Sequence, residues 1–388
     1  MNRKQFILLL VLVLVIGAAG LVIRQRGQSS WQSAGQAIGR KLLPGLPVND
    51  IAQITVQAGG SELNLARRDN VWCVRERSDY PANFADLSGL LLKFADLKVV
   101  QSEEVGASQL GRFELLPPGK GANTATQIEF KDATGKTRNS VLLGKKHMNK
   151  ARGGQLGGMG GMGGDEGWPD GRYVMVGSGA KTLAVVSDPL DNVQPKPEAW
   201  LNKDFVHIEK PRTIAVQLAE ATNSWKLTRA AETNDWQLAG AKADEKLDPA
   251  KVSGVTSPFS SASFSDVAAL NASNAPAGTT LTVETFDGFT YVAKIGSSEN
   301  GNYPVNVIVS ANLPTERAVA QDEKAGDKAK LDKEFKERRA KLAEKLAVEK
   351  RFASWIYQFP SYTVDSLLKP RKELLVEEKK EAAPAEVK

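Results

Sequence analysis

The sequence predicts an α+β protein in which a single N-terminal transmembrane helix precedes two tandem, similar β-rich units, each an antiparallel sheet with one helix. Residues 6–23 form an apolar run without a charge, which predicts the transmembrane helix. Short alternating segments separated by polar turns recur through residues 46–370 and are typical of antiparallel strands. Aromatic and glycine positions follow the same order in both halves, which indicates an internal repeat.

The apolar run from Phe6 to Ile23 is long enough to cross a bilayer, because its residues span roughly 27 Å as a helix. Arg3 and Lys4 precede it, so we expect residues 1–5 in the cytoplasm and the remainder of the chain outside it. This arrangement predicts a single-pass protein of the bacterial inner membrane. The alternative is a signal peptide cleaved after Ala19, which exports the same domains.

Composition shifts divide the rest of the chain into a linker, two units with one insertion each, and a tail. The linker and tail are polar or charged, and the tail is predicted to be disordered. The predicted boundaries are 24–45 for the linker, 46–203 for the first unit with a Gly/Met-rich loop at 153–167, 204–370 for the second unit with a charged helical insertion at 315–351, and 371–388 for the tail.

The first unit opens with a strand at 51–57 and a hairpin formed by 62–66 and 71–74. A helix follows, since apolar residues from Phe84 to Leu97 recur at three- and four-residue steps, and Asn83 is its expected N-cap. Four further strands are predicted at 126–130, 140–144, 172–176 and 182–186.

The second unit repeats this order, with a helix expected to begin at Asp248-Pro249. Four pairs of residues at similar sequence offsets support a duplication. The offsets are 164 for Trp72 and Trp236, 156 for Phe130 and Phe286, 152 for Gly144 and Gly296, and 155 for Trp200 and Trp355.

The two insertions carry different predictions. The loop at 153–167 lacks the Lys-Ser or Lys-Thr ending of a phosphate-binding loop and is interpreted as a flexible connection. The insertion at 315–351 is predicted to be a charged amphipathic helix of coiled-coil type, with an apolar stripe. That helix either packs on its own domain or docks a partner. The stripe consists of Leu331, Phe335, Leu342 and Leu346.

The charge distribution argues against nucleic acid as a partner. The formal net charge is +6, and the first 41 residues carry six basic residues and no acidic one. Residues 42–388 are therefore balanced, whereas a protein that tracks phosphates needs a basic surface.

No motif in the sequence predicts catalysis, and we expect a protein that is not an enzyme and has no catalytic, metal or cofactor-binding residues. His147 and His207 are 60 positions apart and belong to no metal-ligand pattern. Cys73 lies in a strand-like run and is interpreted as a small buried residue. Ser366 and Lys369 match the spacing of Ser–Lys hydrolases without their partner motifs.

The chain resembles the uncharacterised bacterial family known as domain of unknown function 4340. The resemblance rests on the membrane helix and on packing motifs at 48–56, 63–67, Val71-Trp72, Tyr80-Pro81-Ala82 and 142–144. Members of that family accompany transporters of the ATP-binding cassette (ABC) type. The resemblance therefore implies an accessory protein outside the cytoplasm, beside an inner-membrane complex of a permease and an ATPase. It implies no catalytic residue, and the two insertions depart from the family pattern.

These expectations combine into a non-catalytic, membrane-anchored accessory or scaffold protein of an envelope transport system. The alternative is a stand-alone envelope protein that binds glycan or lipid.

Overall fold

The computed structural model describes residues 38–119, 121–149, 168–177, 181–243, 245–260, 262–319 and 327–376. The chain divides into two compact units, Met1–Asn202 and Lys203–Lys388. The anchor predicted at 6–23 and the loop predicted at 153–167 lie outside the described residues. Within the described ranges, no helix combines the length and apolar character needed to cross a membrane.

In the described residues of the first unit, a nine-stranded antiparallel sheet is accompanied by one α-helix. Its strands follow the order β4-β3-β2-β1-β6-β7-β8-β9-β5 across the sheet. In chain order the elements are β1 (Ile51–Ala58), β2 (Ser61–Arg68), β3 (Val71–Val74), β4 (Tyr80–Pro81), α1 (Phe84–Asp96), β5 (Val99–Glu104), β6 (Thr126–Asp132), β7 (Thr137–Asn149), β8 (Trp168–Val176) and β9 (Thr182–Val186).

Helix α1 covers the middle of this sheet with its apolar face. The side chain of Asn83 accepts hydrogen bonds from the amides of Ala85 and Asp86, which confirms the predicted N-cap. The helix buries Leu87, Leu90, Leu91 and Phe94. The Phe94 ring meets the ring of Phe130 on β6 edge-on, with centroids 5.1 Å apart.

The second unit is an eight-stranded antiparallel sheet with the order β12-β11-β10-β14-β15-β16-β17-β13. Its core includes a cluster of aromatic rings around Phe205. In chain order the elements are β10 (Pro211–Gln217), β11 (Trp225–Thr228), β12 (Gln237–Leu238), α2 (Pro249–Ser253), β13 (Asp266–Ala269), β14 (Thr279–Thr285), β15 (Phe289–Ile295), β16 (Asn302–Ala311), α3 (Lys328–Glu349), β17 (Trp355–Pro360) and α4 (Ser361–Val364).

The two sheets have the same strand order, apart from β4, which has no counterpart in the second unit. The register shows the equivalence residue by residue. Ile54 pairs with Leu65 and Phe130, and Ile214 pairs with Leu227 and Val283. Two sheets that share both connectivity and register are explained most simply by duplication of one unit.

The predicted α+β class is wrong, because both units are built mainly from strands and contain few helical residues. The helix that the sequence predicts at Asp248-Pro249 does begin there, with the Asp248 side chain accepting from the amides of Ala250 and Lys251. It ends at Ser253, after little more than one turn. The one long helix among the described residues of the second unit, α3, belongs to the insertion and not to the repeated sheet.

Two of the four residue pairs that suggested the repeat are not structurally equivalent. By strand register, Phe130 corresponds to Val283 and not to Phe286. Trp200 ends a 3₁₀ turn after β9, whereas Trp355 begins β17. The register does keep Gly144 and Gly296 equivalent, since both follow the strand residue that pairs with the first residue of β6 or β14.

The equivalent of Trp200 is Leu374, in a segment that the sequence predicts to be disordered. The amide of Asn83 donates to the Trp200 carbonyl at 2.8 Å, and the amide of Asp248 donates to the Leu374 carbonyl at 2.9 Å. Leu374 is fully buried. The prediction of a disordered tail from 371 is therefore wrong for 371–376, which close the second unit as 197–202 close the first.

The predicted linker also ends earlier than residue 45. Leu42 and Leu43 are buried, and the amide of Leu42 donates to the Leu97 carbonyl at 2.7 Å. Residues 39–42 thus lie along the start of β5 and belong to the first unit.

The turn between β6 and β7 provides a pH-sensitive contact. The Asp132 carboxylate accepts from the Thr134 hydroxyl at 2.6 Å and from the Lys136 amide at 3.1 Å. The hydrogen bond from the Thr134 side chain is the main cause that lowers the pKa of Asp132 to about 2. In the second unit the Thr285 hydroxyl replaces this carboxylate and accepts from the Phe289 amide at 3.0 Å.

We expect the Asp132 contact to stabilise the fold at neutral pH and to be lost in acid. An aspartate has a pKa near 3.9 in an unfolded chain, so the stabilisation is complete above about pH 4 and disappears as pH falls through about 2. Asp132→Asn should therefore be less stable than wild type at pH 7, and the difference should shrink between pH 5 and pH 2. Urea unfolding at each pH measures this, with exposed Asp69→Asn as the control. A difference that does not change with pH would contradict the assignment.

Candidate functional site

The two histidines lie in separate units and have different surroundings. His147 on β7 is hydrogen-bonded through Nδ1 to Asp170 at 2.6 Å, while the largely exposed His207 ring lies 3.6 Å from Glu209. Among the described residues, no group of three or more His, Cys, Asp or Glu side chains is placed to hold a metal ion.

Cys73 is buried in β3, which confirms its interpretation as a packing residue. Burial is the main cause that raises the pKa of the Cys73 thiol, and the charge of Asp79 raises it further. Because the thiolate is the reactive form, this environment disfavours nucleophilic chemistry.

Ser366 and Lys369 lie in the turn after α4. Lys369 is exposed, and its backbone carbonyl accepts from the Trp225 indole at 2.9 Å. In the described part of the chain, no hydrogen bond joins the Ser366 hydroxyl to the Lys369 amine. The structure therefore provides no geometric support for a Ser–Lys pair.

Helix α3 is the most distinctive exposed element of the described residues. It lies within the predicted insertion 315–351 and connects β16 to β17, whereas in the first unit only residues 177–181 separate β8 from β9. Its four stripe residues are half-buried, while most of its other side chains are exposed. The stripe consists of Leu331, Phe335, Leu342 and Leu346.

The C-terminal turn of α3 is held on its own sheet by a buried carboxylate. Glu349 is 4% exposed and accepts from the His207 amide at 2.9 Å and from the Tyr291 hydroxyl at 2.8 Å. Burial, followed by the charge of Glu349, raises the pKa of Tyr291 well above its usual value, so its hydroxyl remains a hydrogen-bond donor.

Lys345 reinforces this attachment one turn earlier. Its ammonium group donates to the His207 carbonyl at 2.6 Å and to the Glu209 carboxylate at 3.0 Å, and lies 5.4 Å from the centroid of the Phe289 ring. The hydrogen bond from Lys345 is the main cause that lowers the pKa of Glu209. No local sequence pattern predicts these contacts, because the partners are distant along the chain.

Helix α3 carries an excess of exposed positive charge that has no ion-pair partner among the described residues. Lys330 and Lys333 lie 3.9 Å from Glu334 and Glu337, respectively. Five further cations of this helix form no ion pair with any residue that the structure describes. These are Lys328, Lys336, Arg338, Arg339 and Lys341. The exposed surface of α3 is therefore suited to a negatively charged partner surface.

A small cavity of about 200 Å³ lies beneath the middle of the helix. Phe335, Leu342, Arg338 and Arg339 line it from α3, and the turn between β14 and β15 lines the other side. The helix is therefore less closely packed here than at Glu349.

The chain matches no family model, no curated protein and no solved structure. The resemblance to domain of unknown function 4340 thus remains a prediction from the motif residues.

Proposed function

We propose that the protein is a non-catalytic accessory or scaffold subunit of an ABC-type envelope transport complex. In this proposal, the predicted helix at 6–23 anchors the chain in the inner membrane, and both β-rich units lie outside the cytoplasm. Helix α3 contacts an acidic surface of the permease assembly.

The observation that supports the proposal best is the combination of firm attachment and exposed charge in α3. Glu349 and Lys345 fix one end of the helix on its sheet, while Arg338 and Arg339 remain exposed and unpaired among the described residues. Any exposed helix face carries charged residues, but in α3 the exposed cations without an ion pair outnumber the exposed acids without one among the described residues. Rim charges of this kind favour association with a complementary surface and its orientation.

The test is affinity purification of the full-length protein in mild detergent, followed by quantification of co-purifying proteins. We expect a permease and its ATPase with the wild-type chain. The double variant Arg338→Glu/Arg339→Glu should reduce their recovery at least five-fold, because it reverses two charges at the proposed contact.

A matched control reverses two charges elsewhere, in the variant Arg67→Glu/Lys136→Glu on exposed positions of the first unit. Its recovery of partners should stay within two-fold of wild type. Purification of the wild-type chain alone, under conditions that preserve other envelope complexes, would reject the accessory role. Equal losses in both double variants would reject the contact through α3.

A further inference from the structure

The second unit contains an open groove at the edge of its sheet. The groove has a volume of about 730 Å³ and lies between β12 and the segment Glu245–Leu247. Trp236, Gln237 and Leu238 form one wall, and Glu245, Lys246 and Leu247 belong to the other.

The first unit has a β-strand at the corresponding place. There β4 pairs with the outer edge of β3, and the amide of Ala82 donates to the Trp72 carbonyl at 2.7 Å. Trp72 and Trp236 are equivalent because β3 pairs with β2 in the same register as β12 pairs with β11. Ala82 and Leu247 are equivalent, since each directly precedes a helix N-cap.

In the second unit the segment at the position of β4 does not pair with the sheet. Leu247 forms a bridge with Leu375, as Ala82 does with Leu201, but the backbone of Trp236 receives no hydrogen bond from the described residues. Trp236 is only half-buried, whereas Trp72 is 7% exposed.

The backbone of this edge can pair with an additional strand. The Ala239 amide donates to the Lys226 carbonyl, so the alternation of an antiparallel ladder turns the Leu238 amide towards the groove. The Leu238 carbonyl is occupied by the Ala241 amide at 3.3 Å. The amide and carbonyl of Trp236 and the amide of Leu238 have no hydrogen-bond partner among the residues that the structure describes. Unpaired edges of this kind accept peptide strands.

Side chains around the groove add a fixed aromatic surface and opposite charges. The Arg229 guanidinium lies 4.7 Å from the Trp236 ring and is held by the carbonyls of Pro211 and Glu232, each at 2.7 Å. Asp235 and Lys246 line the groove and form no ion pair within the described ranges. Their charges complement a peptide that carries one basic and one acidic residue.

We propose that this groove binds an extended segment of a partner protein, which adds to β12 as an edge strand. The first unit favours a peptide over a glycan as the ligand. There the equivalent edge is filled by a β-strand, β4, which pairs through its backbone. The proposal is independent of the accessory role and of the contact through α3.

Fluorescence anisotropy with the full-length protein in detergent tests the proposal. The probes are fluorescein-labelled heptapeptides of alternating valine and threonine, with lysine at one end and glutamate at the other, in both orders. We expect saturable binding of at least one. Peptides N-methylated on one or the other alternate set of amides keep their side chains, but the peptide methylated on the set that faces β12 cannot donate backbone hydrogen bonds to it. At least one of these should bind ten-fold more weakly.

Two variants locate the site. Leu238→Pro removes the outward amide without removing a ladder bond to β11 and should weaken binding at least ten-fold. The control Lys294→Ala changes an exposed side chain of β15 that does not line the groove, and it should bind within two-fold of wild type. The proposal would be overturned if no peptide bound, or if both methylated peptides bound as tightly as the unmethylated ones. Displacement of the probe by chitotetraose or maltotetraose would also overturn it, in favour of a glycan site. The methylated peptides test it on wild-type protein even if Leu238→Pro fails to fold.

Discussion

Gly144→Ala is expected to destabilise the first unit by about 3 kcal/mol or more, because the site has no room for a side chain. A Cβ atom there would overlap the Phe113 carbonyl oxygen and lie 2.9 Å from Leu115 Cγ. The first contact is with backbone, which cannot move aside as a flexible side chain does. Either β7 or the 3₁₀ segment Ala107–Phe113 must shift, and the buried Leu115 must shift with it.

The control for this substitution is a second glycine of the same unit with the opposite expected sign. Gly89 lies within α1, and a Cβ atom at that position meets nothing within 4 Å. Gly89→Ala should stabilise the unit by about 0.5–1 kcal/mol, since alanine favours a helix more than glycine does. Urea unfolding of both variants measures the difference. Similar midpoints for the two would contradict the close contact at Gly144.

Local patterns were sufficient to predict most strands of the repeated sheets. Alternation identified the hairpin of β2 and β3, and the side chains of Asn83 and Asp248 marked the starts of two helices. The equivalence of Gly144 and Gly296 could also be predicted from the sequence. Neighbouring atoms lie too close to both positions for a side chain, so glycine is found in both repeats. These signals depend on a few neighbouring residues and therefore survive when overall identity between repeats is low.

The closing segment shows where such patterns fail. Trp200 and Trp355 have the same residue type at a plausible offset, yet they occupy different elements. The true counterpart, Leu374, lies in a charged stretch whose composition is typical of disorder. Its burial depends on pairing with residues near Asp248, more than 120 positions away, and a local pattern contains no information about that pairing.

The α+β prediction was wrong for a related reason. Asp248 and Pro249 are strong signals for where a helix begins, but they do not determine its length. The chain turns away after Ser253, so little of the repeated fold is helical in this unit. The groove beside β12 could not be predicted from the sequence either. It results from the pairing of β4 with β3, which is present in the first unit and absent from the described residues of the second.

The contacts that hold α3 on its sheet also could not be predicted from the sequence. Glu349 is one of many charged residues in the insertion, and its partners His207 and Tyr291 are 142 and 58 positions away. Its burial distinguishes it only once the fold is known. Most glutamates of α3 are exposed, as the charged composition predicts.

Glu349→Ala is therefore expected to have a large effect that composition would not suggest. The substitution removes the acceptor of the His207 amide and of the buried Tyr291 hydroxyl, and each loss costs about 1–3 kcal/mol. We expect a total destabilisation of about 2–4 kcal/mol and faster amide exchange throughout Lys328–Glu349. Glu349→Gln keeps one acceptor oxygen and should lose about half as much. Urea unfolding and hydrogen exchange of the full chain provide both measurements.

The matched control is Glu344→Ala, an exposed glutamate of the same helix, which should change stability by no more than about 0.5 kcal/mol. If α3 docks a permease assembly, Glu349→Ala should also reduce partner recovery, because a detached helix no longer presents Arg338 and Arg339 in a fixed orientation. Arg338→Glu/Arg339→Glu should reduce recovery without the loss of stability. A Glu349→Ala protein that unfolds at the same urea concentration as Glu344→Ala would show that the buried carboxylate does not hold the helix.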